Sequence, residues 1–203
     1  GKPNGKGVER VRVGEGELAG TDLLAEGHDL LDAFAHLDEV GSLYVPADVD
    51  LALVENAIDA KRDPENMFAS HTVAELETMK SELELLSRRF LTVATNPPYL
   101  GNFNPWMSKW VKENYPDEKS DLFAAFINRN LHFADPFGEL GFMSPFVWMF
   151  ISSYEKLRKK LILESFVTSL IQLEYSGFSG ATVPICTFTL CNGRARKVKG
   201  SYI

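Results

Sequence analysis

An amide, two prolines and a phenol stand together at Asn96-Pro97-Pro98-Tyr99, directly after the apolar run Phe90-Leu91-Thr92-Val93-Ala94-Thr95. The Asn96 side-chain oxygen and the carbonyl of Pro97 are two neutral acceptors, one residue apart. Each can take one N–H of a planar amino group, which leaves the nitrogen lone pair aimed outward for attack on an electrophilic carbon. Such a nitrogen is a poor nucleophile because its lone pair is delocalised, so holding it matters more than deprotonating it. The prolines have fixed φ and no N–H, so they keep the backbone extended and rigid. Tyr99 offers a flat apolar face for an aromatic ring to stack on. The plainer alternative is a rigid strand-to-loop turn, since Asn-Pro and Pro-Pro are good turn formers.

These residues must be held by the elements around them. The run 90–95 reads as a buried strand, and the motif sits at its carboxyl end. A long polar and aromatic loop with Trp106, Trp110 and Tyr115 follows. Ser120 then caps a helix over Leu122, Phe123, Phe126, Ile127 and Leu131, which Asp135-Pro136-Phe137-Gly138 breaks. Residues 140–144 read as a second strand, Ser152 and Glu155 cap a helix through Leu163, and residues 166–173 and 183–191 are two more strands. Strands alternating with helices across short joints predict a mainly parallel α/β sheet, and ligands bind beyond the carboxyl ends of such strands.

The first half reads differently. Residues 1–30 are rich in Gly and Glu and suggest a loop or edge hairpin around residues 8–13. Leu30, Leu31, Phe34 and Leu37 repeat at helical spacing up to Gly41, a brief strand is expected over 41–46, and a helix over 51–60 ends at Asp63-Pro64. Thr72 and Glu75 form a capping-box pair ahead of a helix with a Leu76, Met79, Leu83, Leu86 and Phe90 seam. That seam packs against neighbouring helices or against a partner chain.

Charge divides along the same line. The net charge is −7, but residues 1–90 carry 9 basic and 19 acidic side chains, and residues 91–203 carry 12 basic and 9 acidic. Phosphate would be repelled by the first half and attracted by two basic clusters in the second, Lys156-Arg158-Lys159-Lys160 and Arg194-Arg196-Lys197-Lys199. Each cluster is equally well a solvated face or tail. No stretch approaches the roughly 18 to 20 apolar residues of a membrane helix, and the start has no apolar signal core, so a cytoplasmic protein is expected. Cys186 and Cys191 are five apart on one strand and leave opposite faces, so they cannot pair. No histidine cluster suggests a metal site.

Asn96-Pro97-Pro98-Tyr99 after an apolar strand resembles the catalytic motif of the amino-group methyltransferases. The likeness continues through Leu100-Gly101, Asn114-Tyr115-Pro116-Asp117, Lys119-Ser120-Asp121-Leu122-Phe123-Ala124-Ala125-Phe126, Gly138-Glu139-Leu140-Gly141-Phe142-Met143-Ser144-Pro145 and Glu155-Lys156-Leu157-Arg158-Lys159-Lys160-Leu161. Over roughly residues 88–192 it is similar to the large adenine-specific DNA methyltransferases of bacterial restriction and phage-exclusion systems, notably the PglX type of BREX systems. The resemblance implies S-adenosylmethionine as donor, adenine N6 in double-stranded DNA as target, and extrusion of that base from the helix. It implies the C-terminal half of a methyltransferase-type, Rossmann-like sheet with one antiparallel strand. It gives catalytic roles to Asn96, Pro97, Pro98 and Tyr99, with Asn96 and Pro97 as the paired acceptors and Tyr99 as stacking face. Asn96 also borders the cofactor. Phe178 would support the base from its other side, or anchor its loop. Phe123 would touch the cofactor's adenine, or be core.

The family's Gly-rich cofactor turn is not evident. Residues 11–20 hold glycines with Asp38 or Glu39 about twenty residues on, as dinucleotide sites require. Their strand is short and charged, and a helix holds the acid, so they are a decoy. The expectation is therefore a piece of a larger protein, with residues 1–89 as a mostly helical accessory segment and 90–203 as the catalytic half, inactive in methyl transfer alone. A half-sheet should expose an apolar edge, which makes homodimerisation through that edge an expectation too. The alternatives are a protein or RNA amide methyltransferase, for which the same acceptor pair suits a glutamine, and a non-catalytic DNA-docking module.

Overall fold

The computed structural model describes residues 36–46, 51–62, 67–99, 101–174, 183–194 and 201. The chain divides into two units, Gly1–Tyr44 and Val45–Ile203. In the first, helix α1 (Leu37–Val40) stops at Gly41, whose φ of +52° suits a residue without Cβ. The expected strand over 41–46 is instead a 3-10 turn, Gly41–Leu43, with Leu43 buried and Tyr44 extended. The helical spacing before residue 36, the glycines of 11–20 and the breaker Asp63-Pro64 lie outside the described residues.

The second unit opens with a helical hairpin, α2 (Leu51–Lys61) and α3 (Met67–Ser87). Val54, Ile58 and Leu83 are buried within it, and ion pairs link the two helices: Arg62 to Glu77 at 2.9 Å and Lys80 to Glu55 at 3.3 Å. Helix α3 begins five residues before Thr72, so Thr72 and Glu75 lie inside it and do not cap it. Phe90 has left the helix and opens the next strand.

Among the described residues four strands make one sheet: β1 (Phe90–Thr95), β2 (Ala134–Pro145), β3 (Phe166–Gln172) and β4 (Ile185–Cys191), in the order β1-β2-β4-β3. β1 and β2 are parallel, while β4 runs antiparallel to both β2 and β3. Three strands therefore share one direction and one opposes them, as expected. Helices α4 (Pro105–Asn114) and α5 (Leu122–Phe133) join β1 to β2, and α6 (Glu155–Glu164) joins β2 to β3.

Helix α4 replaces the expected loop, for a local reason. Asn104 accepts the Met107 N–H at 2.7 Å and Pro105 occupies the first turn, an N-terminal pair that fixes a helix start. Trp106 and Trp110 stack one turn apart at 6.5 Å on its surface. Helix α5 is capped by Asp121, which accepts from the Phe123 N–H at 3.2 Å, and not by Ser120. Ser152 opens a 3-10 turn and makes no cap for α6.

The core lies between the sheet and its helices. Phe123, Ile127 and Leu131 of α5, Leu157 and Leu161 of α6, and Leu140, Phe142, Phe188 and Leu190 of the central strands fill it. Each side chain of this size contributes about 1.5–3 kcal/mol on burial. Arg129 ties the helical hairpin to this layer. It is buried, donates to the Leu86 carbonyl in the last turn of α3 at 2.7 Å, and stands over the Phe133 ring at 3.6 Å.

Among the described residues β1 is an edge strand, which corrects the expectation that this run is buried and agrees with the apolar edge expected of a half-sheet. Leu91 is 77% exposed and Phe90 41%, with Val93 turned toward the core. The far edge is apolar as well, with Leu170 and Ile171 of β3 exposed. Asp135-Pro136-Phe137-Gly138 does end α5, but β2 runs through it as a bulge. Between the pairs Phe90↔Ala134 and Thr92↔Glu139 the register slips. Gly138 is needed there because a Cβ would stand 3.1 Å from the carbonyl oxygens of Phe90 and Leu91. Asn192 secures the bulge with an Nδ2 group directed at the carbonyls of Leu131, Ala134 and Asp135.

Candidate active site

The parallel pairing of β1 with β2 fixes where the motif emerges. Thr95 pairs with Phe142, so residues 96–99 leave β1 beside Met143, Ser144 and Pro145 as β2 also reaches its carboxyl end. Pro97 is buried, while Asn96 and Pro98 are exposed. Tyr99 turns back onto the sheet, half-buried against the core.

Its hydroxyl joins the two strands. Tyr99 Oη donates to Asn96 Oδ1 at 3.0 Å and lies 3.3 Å from the main-chain oxygen of Met143. Burial pushes the Tyr99 hydroxyl above the ordinary phenol range, and the nearby Cys186 thiol adds to this, so the group keeps its proton and remains a donor. Below it, Ser144 and Cys186 are both buried, with Ser144 Oγ 3.9 Å from Cys186 Sγ. Cys186 and Cys191 are both free thiols, the first buried and the second only partly so.

The loop after the motif returns to the start of α5. A Cβ on Gly101 would stand 3.2 Å from the Ser120 carbonyl and 3.6 Å from Asp121 Oδ2, so the chain passes closely over the α5 cap. Phe123, the second residue of α5, is 1% exposed with its ring 5.4 Å from that of Tyr154. The structure thus brings Asn96, Pro97, Pro98 and Tyr99 together at the sheet's carboxyl end and sets Phe123 in the core behind them. Phe178 lies outside the described residues. Of the dinucleotide decoy, Asp38 and Glu39 stand in helix α1.

The first basic cluster is engaged within the protein. Lys156 pairs with Asp117 at 2.6 Å, Lys159 with Glu155 at 2.6 Å, and Lys160 Nζ donates to Asn128 Oδ1. Arg158 donates to the carbonyls of Trp148 and Ile151, both at 2.7 Å. Of the second cluster only Arg194, exposed, is among the described residues. Sequence reading missed Met143 as the anchor of Tyr99 on β2. The signal was present only as register: pairing Val93 with Leu140 carries Met143 to the level of the motif.

This geometry stands with a matching record of likeness. At 29% identity over 141 residues the chain is similar to the adenine-specific methyltransferase PglX of Lacticaseibacillus casei (strain Zhang), covering 66% of this chain and 12% of that protein. It is 31% identical over 127 residues to the adenine-specific methyltransferase BrxX of Escherichia coli O9:H4 (strain HS), covering 60% of this chain and 10% of that protein. The chain therefore spans about a tenth of the length of these curated relatives. A solved type I restriction-modification system aligns with a TM-score of 0.46 at 15% identity, over 69% of this chain and 35% of the other. Residues 35–178, more than half of the sequence and including the motif, both of its flanking strands and helices α2 to α6, match one family as a unit, and the chain belongs to it: the Eco57I restriction-modification methylases.

Proposed function

We propose that this chain provides the amino-group side of an S-adenosylmethionine-dependent DNA methyltransferase acting on adenine N6 in a restriction or phage-defence system, within a longer cytoplasmic protein. Residues 1–89 serve as its helical accessory segment and 90–203 as its catalytic half. The observation that carries the proposal is the exposed Asn96 amide at the carboxyl end of β1, beside a tyrosine ring anchored on the neighbouring parallel strand. The adenine-specific relatives favour a base over a glutamine amide as the target. Among the described residues no helix is long and apolar enough to cross a membrane.

In this reading Asn96 Oδ1 and the Pro97 carbonyl each accept one N–H of the extruded adenine's amino group. Tyr99 stacks on the base, and Phe178 is assigned the support of its other side. The rigid prolines fix the backbone path and with it the Pro97 carbonyl, so less ordering cost falls on the reacting groups when the N6 lone pair is aimed. The acceptor pair suits transfer from a sulfonium methyl. Neutral acceptors take no proton before the bond forms, and an electrophile this strong requires none to be taken. When bound, S-adenosylmethionine supplies that methyl group and its sulfur keeps the bonding pair. The proton surplus on N6 then passes from the acceptor pair to water.

The test uses the complete protein in its host. With Asn96→Ala, genomic DNA should lose its N6-methyladenine, read by methylation-sensitive digestion, while protein abundance is unchanged. Persistence of the mark would overturn the assignment. Labelled methyl recovered in protein and not in DNA would favour an amide substrate instead.

A further inference from the structure

The Tyr99 hydroxyl carries one proton and faces two carbonyl oxygens, Asn96 Oδ1 at 3.0 Å and the Met143 main chain at 3.3 Å. One proton cannot serve both fully. The two ends of a carboxamide have nearly the same shape, so half a turn about the Asn96 Cβ–Cγ bond exchanges oxygen for nitrogen and displaces nothing else. With Nδ2 against the hydroxyl, the amide donates to Tyr99 Oη and the hydroxyl proton goes entirely to Met143. Two bonds in series replace one shared proton. The inner end of this chain is fixed, because Met143 sits in β2 and pairs with Thr187 of β4. Its outer end is free to turn, because the Asn96 side chain is exposed.

The turn has a chemical consequence. In the orientation seen, a lone pair of Oδ1 is committed to the hydroxyl. After the turn Oδ1 points away from Tyr99 with both lone pairs open, which is what an incoming N–H requires.

Resting on the reading of Asn96 as the substrate acceptor, we propose that Tyr99 is also a positioning residue. Its hydroxyl, anchored on the Met143 carbonyl, selects the orientation of the Asn96 amide that presents Oδ1 to the amino group. The ring and the hydroxyl of Tyr99 then do separate jobs. The ring meets the base, and the hydroxyl sets the acceptor.

Tyr99→Phe separates them, since it keeps the ring and removes one oxygen atom. In the complete methyltransferase, single-turnover methyl transfer should fall about tenfold, the effect of one neutral hydrogen bond. Base extrusion, read by the fluorescence of 2-aminopurine at the target position, should stay within about twofold of wild type, because the stacking face is intact. An Asn96→Asp background supplies a second arm. Both ends of a carboxylate are oxygens, so there is no orientation to select, and adding Tyr99→Phe should change the rate by less than about twofold. Equal tenfold losses in both backgrounds would overturn the inference, as would a Tyr99→Phe enzyme of wild-type rate, or one that loses extrusion and transfer together. Full activity of Asn96→Ala would instead refute the acceptor reading beneath it, so the two failures are distinguishable.

Discussion

Replacing Asn192 by aspartate tests the joint that holds the β2 bulge, by changing one N–H₂ group to oxygen. Asn192 follows β4 and directs Nδ2 at three main-chain carbonyls: Ala134 at 2.9 Å, Leu131 at 3.1 Å and Asp135 at 3.2 Å. Its own backbone is also paired, with the Asn192 N–H donating to Gly138 and the Phe137 N–H to Asn192. Two protons serve three acceptors, so Asn192→Ala removes about two neutral hydrogen bonds, or about 1–3 kcal/mol. The site is half-buried and water can replace part of that, which sets the expectation near 2 kcal/mol. The aspartate is worse, though it has the same shape. It aims a carboxylate at three oxygens already rich in negative charge, and the expected loss is about 3 kcal/mol or more. The carboxyl would relieve this by taking a proton, so its folded-state pKa is raised above the unfolded value of about 3.9. By linkage, the Asn192→Asp variant keeps its remaining stability below about pH 4 and loses it as pH rises through the raised pKa. Urea unfolding followed by tryptophan fluorescence at pH 4 and pH 7 measures both effects. An aspartate variant within about 0.5 kcal/mol of wild type at pH 7 would refute the claim that the amide donates to these carbonyls.

Glu118 is buried, and burial raises its pKa against the opposing effects of an Asn128 hydrogen bond and the Lys160 charge. A carboxyl raised in the fold gives full stability below its unfolded pKa and loses it as pH rises through the folded one, so Glu118→Gln should flatten that slope above about pH 4.3 and stabilise the protein at neutral pH; an unchanged profile counts against the burial argument. Phe137 holds a φ of +65° inside the bulge, with its ring 72% exposed. Asparagine tolerates that backbone and a β-branched residue does not, so Phe137→Asn should be near neutral while Phe137→Val costs about 1–2 kcal/mol more, read from urea midpoints; equal effects would show that the ring decides and not the backbone.

The architecture was legible wherever one local signal sufficed. β1, β3 and β4 lie within two residues of the expected spans, because β-branched runs bounded by turn residues leave little choice. The direction of β4 against its neighbours follows what the family resemblance implies and no local signal. Misreadings cluster where a cap decides between loop and helix. Asn104-Pro105 started α4 inside an expected loop, and Asp121 took the cap given to the adjacent Ser120. An exposed apolar edge is expected of a half-sheet, but not which strand forms it, because an apolar run looks the same at an edge as at the centre and only strand order distinguishes them. The same limit hid Met143, 44 residues beyond Tyr99 in sequence and 3.3 Å from its hydroxyl.

That distance explains why the motif requires more than its four residues. The prolines fix the backbone path, but they do not determine which way the Asn96 amide faces. Its partner is the Tyr99 hydroxyl, whose second neighbour belongs to β2, and β2 reaches that level only after the bulge at 135–138 has absorbed the register slip. The bulge in turn depends on Gly138 for clearance and on Asn192 for its carbonyls. A loosened Asn192 joint would therefore shift the register of β2 against β1 and move Met143 from beneath Tyr99. If the proposed activity holds, substitutions at the opposite end of the sheet from the motif should consequently reduce labelled-methyl incorporation by the complete protein in proportion to the loss of this register, with Asn96, Pro97, Pro98 and Tyr99 all intact.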